Sequence, residues 1–422
     1  MTIKLYDTNP YDRSFNAVVQ TCGKAGLSGA GDDAPVLFAV TLDQTLFFPE
    51  EGGQSPDTGV LTPRLSNANK PSVSVLDVQI EGEEIIHYCD RPIEPGSEIT
   101  GRIDWDHRFD NMQQHTGEHI VSGLVNKYYG YSNVGFHLSN DTVTMDYDRE
   151  LTAEQISRLE LLANQAIWEN LPVTAWYPPA EELKTLRYRS KIDLAEGVRL
   201  VKIDGVDLCA CCAPHVSSTA QVGLLKIVDY RRYKGGMRLW IKCGGRALED
   251  YGMLHDQTAA ISAELSAPRD ALLEPVVRAG REIEALKTEL AAANAALLQS
   301  KILSIPSDQQ DVTLFEPGMN DVKILRDALN ELAAARSGYC CVFFDCSISE
   351  SEVQTERAAA DRSAAPVWRY ICASTGSDCR AWNEDLKKAF TVRGGGKESM
   401  VQGSVTASQE DLSAWLSSRD KE

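Results

Sequence analysis

The segment Gln113–Ile120, QQHTGEHI, places two histidines four residues apart, with Glu118 directly before the second. Residues at this spacing lie on one face of an α-helix about one turn apart, so His115 and His119 can direct their imidazoles at one ion. Histidines also occur at this spacing as ordinary core or surface residues, and the pair alone leaves metal binding open. A second group of ligands has to decide between the two interpretations.

That second group follows in the segment DLCACCAPHV, residues 207–216, which holds three cysteines and a histidine. Thiolate and imidazole ligands together favour zinc, and Cys-x3-His combined with His-x3-His supplies the four ligands of a tetrahedral site. Cys209 and Cys212 remain alternatives for the sulfur ligand. The sequence therefore predicts one zinc ion per chain, bound by His115, His119, Cys211 and His215.

Glu118 gives the same histidine pair a competing interpretation, because His-x-x-Glu-His is also the motif of inverzincin proteases. In those enzymes the glutamate activates water and a downstream carboxylate is the third metal ligand. This chain instead offers a Cys/His pair downstream, so the interpretation as a protease is the weaker one.

The whole chain has the composition of a multidomain globular protein. Its 422 residues exceed what one ordinary core accommodates, and 43% of them are hydrophobic. No apolar run is long enough for a membrane span, and the N-terminus lacks the pattern of a signal peptide. These features predict a cytoplasmic protein that does not associate with membranes.

A basic stretch interrupts the acidic chain. The net charge of -19 argues against indiscriminate binding of nucleic acid. Residues 231–246, RRYKGGMRLWIKCGGR, nevertheless carry six basic side chains and no acidic one, with two aromatic residues between them. Such a stretch can bind phosphates, here through Arg231, Arg232 and Lys234, while aromatic rings stack on bases. The alternative is a solvated face of a β-hairpin.

The patterning along the chain predicts four domains. Short apolar runs between turn residues indicate a β-barrel first, and mixed helix and strand signals indicate an α+β domain after it. In that domain a helix is expected to begin near Asp110, Thr152 with Gln155 predicts the capped start of another helix, and Asp204–Gly205 predicts a β-hairpin turn. Apolar residues at heptad spacing, such as Val276, Ile283 and Leu290, then favour a helical hairpin or coiled coil, before an α/β domain with a glycine-rich loop. The predicted ranges are 1–108, 109–247, 248–304 and 305–422.

Several of these segments together resemble one known family. The two ligand pairs, in this order, are similar to those in the editing domain of alanyl-tRNA synthetases and their free-standing AlaX relatives. FFPEEGGQSPDTG at 47–59 resembles the family's Gly-Gly-Gln segment, and VGFHLSNDTVTMDY at 134–147 its strand pair. RGGGKESMVQGS at 393–404 resembles the glycine-rich loop of the DHH-associated C-terminal domain. The chain departs from common forms at Glu118 and in CCAPH, which replaces Cys-Gly-Gly-Thr-His.

The resemblance implies a zinc-dependent aminoacyl-tRNA hydrolase of the large AlaX class. It would act in trans and cleave the ester that joins a wrong amino acid, Ser or Gly, to alanine tRNA. Gln54 and Glu118 are the catalytic candidates. The C-terminal region is expected either to contact tRNA or to pair two copies of the chain, and a non-catalytic, zinc-stabilised tRNA-binding protein is the alternative function. The predicted substrate-binding residues are Gly52, Gly53, Thr142, Thr144, Arg231, Arg232 and Lys234.

Overall fold

The computed structural model describes residues 2–25, 36–64, 71–82, 84–140, 142–190, 197–345 and 367–419. The chain divides into two compact units, Met1–Ala260 and Ile261–Glu422. None of the helices in the described ranges is long and apolar enough to span a membrane. The four predicted domain ranges stay predictions.

The first unit begins with a closed, six-stranded antiparallel β-barrel, which confirms the barrel prediction. Alternation explains its core, since every second residue of a strand points inward and Ile99 and Ile103 are buried in this way. Gly101 lies between them because a Cβ there would contact the ring of Phe15 at 2.3 Å. The short strands β1 (Ile3–Lys4) and β4 (Gln44–Thr45) pair beside the barrel. In barrel order the strands are β2 (Ser14–Ala25), β3 (Leu37–Leu42), β7 (Glu84–Cys89), β6 (Val73–Glu81), β5 (Gly59–Pro63) and β8 (Glu98–Ile103).

A long helix, α1 (Trp105–Tyr129), follows the barrel directly and carries the histidine pair. The sequence predicted a start near Asp110, but the helix begins earlier because the carboxylate of Asp104 accepts a hydrogen bond from the backbone of His107. It ends at Gly130, which adopts the left-handed conformation that glycine favours. Most of its middle is buried, so one helix joins the barrel to the rest of the unit.

The predicted α+β elements of the first unit are present. The Asp204–Gly205 turn joins β12 and β13 as predicted, and Thr152 and Gln155 form the expected capping box of α2. One sheet has the order β14–β15–β10–β9 and another the order β11–β12–β13. The elements are β9 (Asn133–Leu138), β10 (Val143–Tyr147), α2 (Ala153–Trp168), β11 (Val173–Trp176), α3 (Ala180–Leu183), β12 (Leu200–Ile203), β13 (Asp207–Ala210), β14 (Leu225–Tyr233), β15 (Gly236–Cys243) and α4 (Gly244–Glu264).

The second unit is an α/β structure around one five-stranded sheet. Its strand order is β16–β17–β18–β20–β19, and among the described strands of this sheet only β16 and β17 pair in parallel. Helix α6 packs on β17 and β18. The elements are α5 (Leu273–Ser304), β16 (Val312–Glu316), α6 (Val322–Ala334), β17 (Cys340–Asp345), β18 (Val367–Ala373), α7 (Cys379–Ala389), β19 (Thr391–Lys397), β20 (Met400–Thr406) and α8 (Gln409–Arg419).

The glycine-rich segment of this unit is a β-hairpin, whereas the sequence predicted a loop. Gly394 lies within β19 and pairs with Gly403 of β20. A Cβ on either glycine would lie within 2.8 Å of the hydroxyl of Tyr370 in β18. The glycines therefore allow a close approach of strands to a tyrosine, and this explains their presence without a bound phosphate.

Helix α5 carries the predicted heptad residues on its surface. Val276, Ile283, Leu290 and Leu297 are each exposed by 50–61% of their surface. Leu298 is the one residue of this helix that is fully buried. The heptad face therefore has no cover within the described part of its unit, and its pairing as a coiled coil stays a prediction.

Candidate metal centre

The structure brings the four predicted zinc ligands together. The ligand atoms of His115, His119, Cys211 and His215 all lie within 4.8 Å of one another. Cys211 Sγ is 3.6 Å from Nε2 of His115 and 3.3 Å from Nε2 of His215. All three histidines are at most 5% exposed. Two pairs that are far apart in sequence thus form one buried, compact cluster.

Close packing of α1 on the neighbouring strands makes this arrangement possible. His115 and His119 lie on one face of the helix, while Cys211 follows directly after β13. A Cβ on Gly117 would be 2.3 Å from Cys243 Sγ, and one on Gly123 would be 2.5 Å from the carbonyl oxygen of Val206. These two glycines let the helix approach β15 and the turn between β12 and β13 more closely than a larger residue would allow.

Each histidine of the cluster has its Nδ1 held by a different partner. His115 Nδ1 donates to Oε1 of Gln54 at 2.8 Å, and His119 Nδ1 donates to Oδ2 of Asp207 at 2.9 Å. His215 Nδ1 lies 3.1 Å from the hydroxyl of Thr116. Such partners fix the orientation of a ligating imidazole and leave Nε2 for the metal.

The charges around the cluster indicate which sulfur is the ligand. Burial raises the pKa of the Cys211 thiol, but His115 and His215 outweigh this and hold that pKa well below its usual value. Burial raises the pKa of Cys209 to about 11 and also raises that of Cys212. Because the thiolate is the form that binds metal, Cys211 is favoured over both alternatives.

The histidines divide into two electrostatic types. Burial lowers the pKa of His215 to about 3, which keeps its imidazole neutral. Burial acts in the same direction on His119, but the hydrogen bond to Asp207 and the nearby Cys211 and Glu118 raise its pKa well above the usual value. Asp207 is in turn held as a carboxylate, its pKa lowered against the effect of burial by Arg189 and His119. A metal cation bound by His119 would take the place of the proton that this environment favours on its imidazole.

The residues fit a zinc ion by two independent criteria. The donors are three imidazole nitrogens and one thiolate, a set that zinc binds in tetrahedral geometry. The three Nδ1 atoms are occupied by partners outside the cluster, so the Nε2 atoms remain as ligands. A second group, His119, Asp207 and Cys209, shares His119 with the first.

A cavity of about 460 Å³ adjoins the cluster. Glu118 is on its wall, with Oε2 lying 3.8 Å from His119 Nε2. The hydroxyl of Ser122 and the amide of Asn133 both donate to the other oxygen, Oε1, at 2.8 and 2.6 Å. This glutamate is therefore oriented by two neighbours and lies next to the cluster. The wall also includes His115, His119, Lys4, Glu51, Gly52, Gly53, Phe136, Tyr177, Ser190, Gly197, Arg199, Cys209, Ala210, Cys211 and Cys212.

Gln54 lies behind the cavity wall and is fully buried. The sequence offered Gln54 as a catalytic candidate, and in the structure its Oε1 accepts a hydrogen bond from His115. Its Nε2 has no hydrogen-bond partner among the described residues. The structure thus brings Gln54 to the cluster through His115, and Gly52 and Gly53 are the members of the Gly-Gly-Gln segment that line the cavity.

A buried ion pair anchors this loop to the histidine helix. Arg108 of α1 donates from Nε to both carboxylate oxygens of Asp57 at 3.0 Å, and both side chains are 0% exposed. Arg108 also donates to the carbonyl oxygens of Pro10 and Leu46, while Asp57 accepts from the backbone of Phe48. The Gly-Gly-Gln loop and the cluster are therefore fixed to the same helix.

The structure places the two predicted threonines away from this cavity. Thr142 is exposed before β10, and its hydroxyl lies 3.1 Å from that of Ser139. Thr144 alternates with Val143 and Met145, whose side chains are buried in the core, so it belongs to the other face of β10. Neither threonine lines the cavity.

Acidic residues from other segments neutralise much of the basic stretch 231–246. Arg232 pairs with Glu150 at 2.9 Å, and Arg238 forms a two-pronged ion pair with Asp146. Lys242 and Arg246 likewise contact Asp250 and Asp110. Arg231 instead lies over the ring of Trp240, at 4.3 Å, and Lys234 over that of Tyr233, at 5.1 Å. The six basic residues are therefore a smaller positive surface than the sequence predicted.

Three contributors to the site were missed by sequence reasoning: Asp207, Thr116 and the Arg108–Asp57 pair. Asp207 could have been found, because it alternates with Cys209 along β13 and so shares its face. Thr116 and the ion pair give no comparable signal, since their partners lie far away in sequence.

Comparison with known proteins shows that this chain is similar to alanyl-tRNA editing proteins and to alanine–tRNA ligases. Residues 198–239 match the family described as Threonyl and Alanyl tRNA synthetase second additional domain. The alanyl-tRNA editing protein Aarsd1 of Mus musculus is 31% identical over 62% of this chain and 63% of its own length. Aarsd1 of Rattus norvegicus is 31% identical over 64% of this chain and 66% of its own length. The alanine–tRNA ligase of Pyrococcus abyssi is 32% identical over 78% of this chain and 36% of the ligase.

The chain belongs to the family of AlaX-type alanyl-tRNA editing proteins. This confirms the family that the sequence resembles. The chain spans less than two thirds of each of these relatives. The residues matched by the domain family include β12, β13 and β14, together with Cys211 and His215 of the cluster.

Proposed function

We propose that this chain is a zinc-dependent deacylase that hydrolyses the ester between a wrong amino acid, Ser or Gly, and alanine tRNA. The observation that carries the proposal is Glu118, oriented beside a His3Cys cluster on the wall of a cavity, in a member of an alanyl-tRNA editing family. A protein with this activity would work in trans, in the cytoplasm, where tRNA is charged.

His115, His119, Cys211 and His215 would hold the zinc ion. When bound, zinc would polarise the ester carbonyl or a water molecule beside it. Gln54, Asp207 and Thr116 act on the imidazoles, keeping each ring in its orientation. This division of roles makes Gln54 a positioning residue.

Glu118 would be the general base. Its Oε2 takes a proton from the attacking water, whose oxygen bonds to the ester carbonyl carbon, and returns that proton to the leaving ribose oxygen. The products are a free amino acid and a tRNA with its terminal hydroxyl restored. Ser122 and Asn133 hold Oε1 and so keep the carboxylate in place during both transfers.

A second cavity, of about 620 Å³, offers a place for the end of the RNA strand. Ser190 and Cys209 line both cavities, so the two adjoin. Lys127, Arg187, Arg189 and Lys202 also line it, together with Asp207. The proposal therefore places terminal phosphates in this groove, with Arg231, Arg232 and Lys234 as further contacts on the outer surface.

The exposed heptad face of α5 supports pairing of two copies as part of this proposal. Replacing Ile283 and Leu290 together with glutamate should convert a dimer to a monomer, measured by light scattering. Val277→Glu, at an exposed position of the same helix outside the heptad, is the matched control. A wild-type protein that is monomeric at all concentrations would contradict the pairing.

The decisive test compares hydrolysis of Ser-, Gly- and Ala-charged alanine tRNA by zinc-loaded protein. We expect Ser- or Gly-tRNA to be deacylated faster than Ala-tRNA, and Glu118→Gln to abolish the activity while the zinc content is unchanged. Binding of tRNA without hydrolysis would instead support the non-catalytic alternative, in which the four protein ligands serve stability alone. Cleavage of a peptide substrate would favour the protease.

A further inference from the structure

Glu51 is a carboxylate on the wall of the cluster cavity, at the tip of the Gly-Gly-Gln loop. Its Oε2 is buried and has no hydrogen-bond partner among the described residues. Among the described residues no lysine or arginine forms an ion pair with Glu51, whose carboxylate instead lies beside the thiol of Cys212 and adds to the effect of burial in raising the pKa of that thiol. A buried carboxylate oxygen without a donor is costly, which indicates that a donor arrives with a ligand.

We propose that Glu51 binds the protonated α-amino group of the aminoacyl ester. The site would then take esters of amino acids with a free amine and discriminate against N-acylated or peptidyl esters. This inference rests on the proposed function, because it assumes an aminoacyl ester in the cavity. An ammonium group offers three donors and a positive charge, whereas the hydroxyl of Ser offers one neutral donor.

Glu118, the other acidic residue on the cavity wall, already has hydrogen-bond partners of its own. Oε1 of Glu118 accepts from Ser122 and Asn133, and Oε2 lies beside His119. The backbone of Glu51 is also held in place, since its carbonyl oxygen accepts a hydrogen bond from the backbone of Gln54 at 3.1 Å. The loop tip, at Gly52, lies next to Cys212 in the segment after β13 that holds the sulfur ligand.

A site that binds the α-ammonium group also explains how one cavity could accept both Ser and Gly esters. A site that recognises the Ser hydroxyl does not explain this. Ser and Gly share the α-amino group, whereas Gly has no hydroxyl for a polar pocket to recognise. Glu51 would thus hold both substrates in one orientation. Because the ester carbonyl carbon is bonded to the carbon that carries the amine, the carbonyl would then be directed at the cluster. Discrimination against Ala needs a different feature, because Ala carries the same amine.

The test measures binding rather than hydrolysis. The probes are 3′-seryl-amido-adenosine, which has an amide in place of the ester, and its N-acetyl derivative, each titrated by calorimetry into zinc-loaded full-length protein. A hydrogen bond to a charged group is worth about 1.5–3 kcal/mol, so the free-amine probe should bind about 10- to 150-fold more tightly. In Glu51→Gln this ratio should fall to near one.

Glu50→Gln is the matched control, because Glu50 is the exposed neighbour, bonds to Gln79 and does not line the cavity. It should keep the wild-type ratio. Equal binding of the two probes to wild-type protein, a ratio that survives in Glu51→Gln, or no binding of the free-amine probe would each overturn the inference. A retained binding ratio without hydrolysis of Ser-tRNA would instead reject the proposed deacylase alone.

Discussion

At the scale of single residues, Asp207 should decide how tightly the cluster binds zinc. Its carboxylate orients His119 and is itself held by Arg189 at 2.7 Å. Partners of ligating histidines typically change metal affinity about 10- to 100-fold, so Asp207→Asn should weaken zinc binding by that factor in competition with a chelating dye. Asp204→Asn, an exposed carboxylate paired with Lys202, should leave the affinity unchanged. Unaltered affinity in Asp207→Asn would contradict the positioning role.

His87 should make the barrel sensitive to acid. Burial lowers its pKa to about 4, and the neutral ring contacts the Val40 carbonyl and the Thr45 hydroxyl. Since the unfolded chain binds the proton near pH 6.5, stability should be complete above that pH and fall as the pH drops towards 4. The loss is on the order of 3 kcal/mol, at about 1.4 kcal/mol for each tenfold change in proton affinity.

Urea unfolding of wild-type protein and His87→Asn across this pH range provides the measurement. The variant is expected to be less stable at neutral pH but to depend less on pH, because the asparagine does not titrate. Parallel curves for the two proteins would show that the acid sensitivity arises elsewhere.

At the scale of elements, the Arg108–Asp57 pair should couple the Gly-Gly-Gln loop to α1. Arg108→Met leaves the carboxylate of Asp57 buried without its partner, which typically costs about 3–5 kcal/mol. Asp57→Asn in the same chain removes that charge and keeps an acceptor for the Phe48 backbone. The double variant should therefore be more stable in urea than Arg108→Met alone. A double variant whose loss equals the sum of both single losses would exclude coupling.

Elements were predictable where their signals are local in sequence. The capping box of Thr152 and Gln155 and the Asp204–Gly205 turn each depend on residues at most three apart, and both are present. The start of α1 was placed too late because the cap at Asp104 was overlooked. The threonine pair was assigned to the cavity without knowing which face of β10 packs on the core.

At the scale of the whole molecule, the limits of sequence reasoning come from contacts between distant segments. The ligand cluster was predictable because each pair keeps a four-residue spacing, and the family resemblance joined the two pairs. Thr116 and His215 are 99 residues apart, and Arg108 and Asp57 are 51 apart, so no local pattern reports either contact. The basic stretch was overestimated for the same reason, since its acidic partner Asp146 is 92 residues from Arg238.

This correction leads to a prediction about where the chain contacts tRNA. In the groove beside the cluster, Lys127 donates to the carbonyl oxygen of Gly205 rather than to a carboxylate, and Arg187 is exposed. On the outer hairpin, Arg232 already pairs with Glu150. Replacing Lys127 and Arg187 with alanine should therefore weaken tRNA binding more than replacing Arg231 and Arg232. It should also reduce the slope of log affinity against log salt by about 2, because each lost phosphate contact removes close to one released counterion.

Fluorescence titrations of labelled alanine tRNA at several salt concentrations measure both quantities, with the zinc content of each variant as the control for folding. The groove adjoins the cluster cavity, so its phosphate contacts also fix the position of the ester. Loss of the groove contacts should consequently raise KM for deacylation in parallel with Kd for tRNA, while kcat at saturating tRNA stays within about twofold, because uniform binding energy is lost from ground and transition states alike. A larger loss of tRNA binding on replacement of Arg231 and Arg232 would place the RNA on the outer hairpin instead.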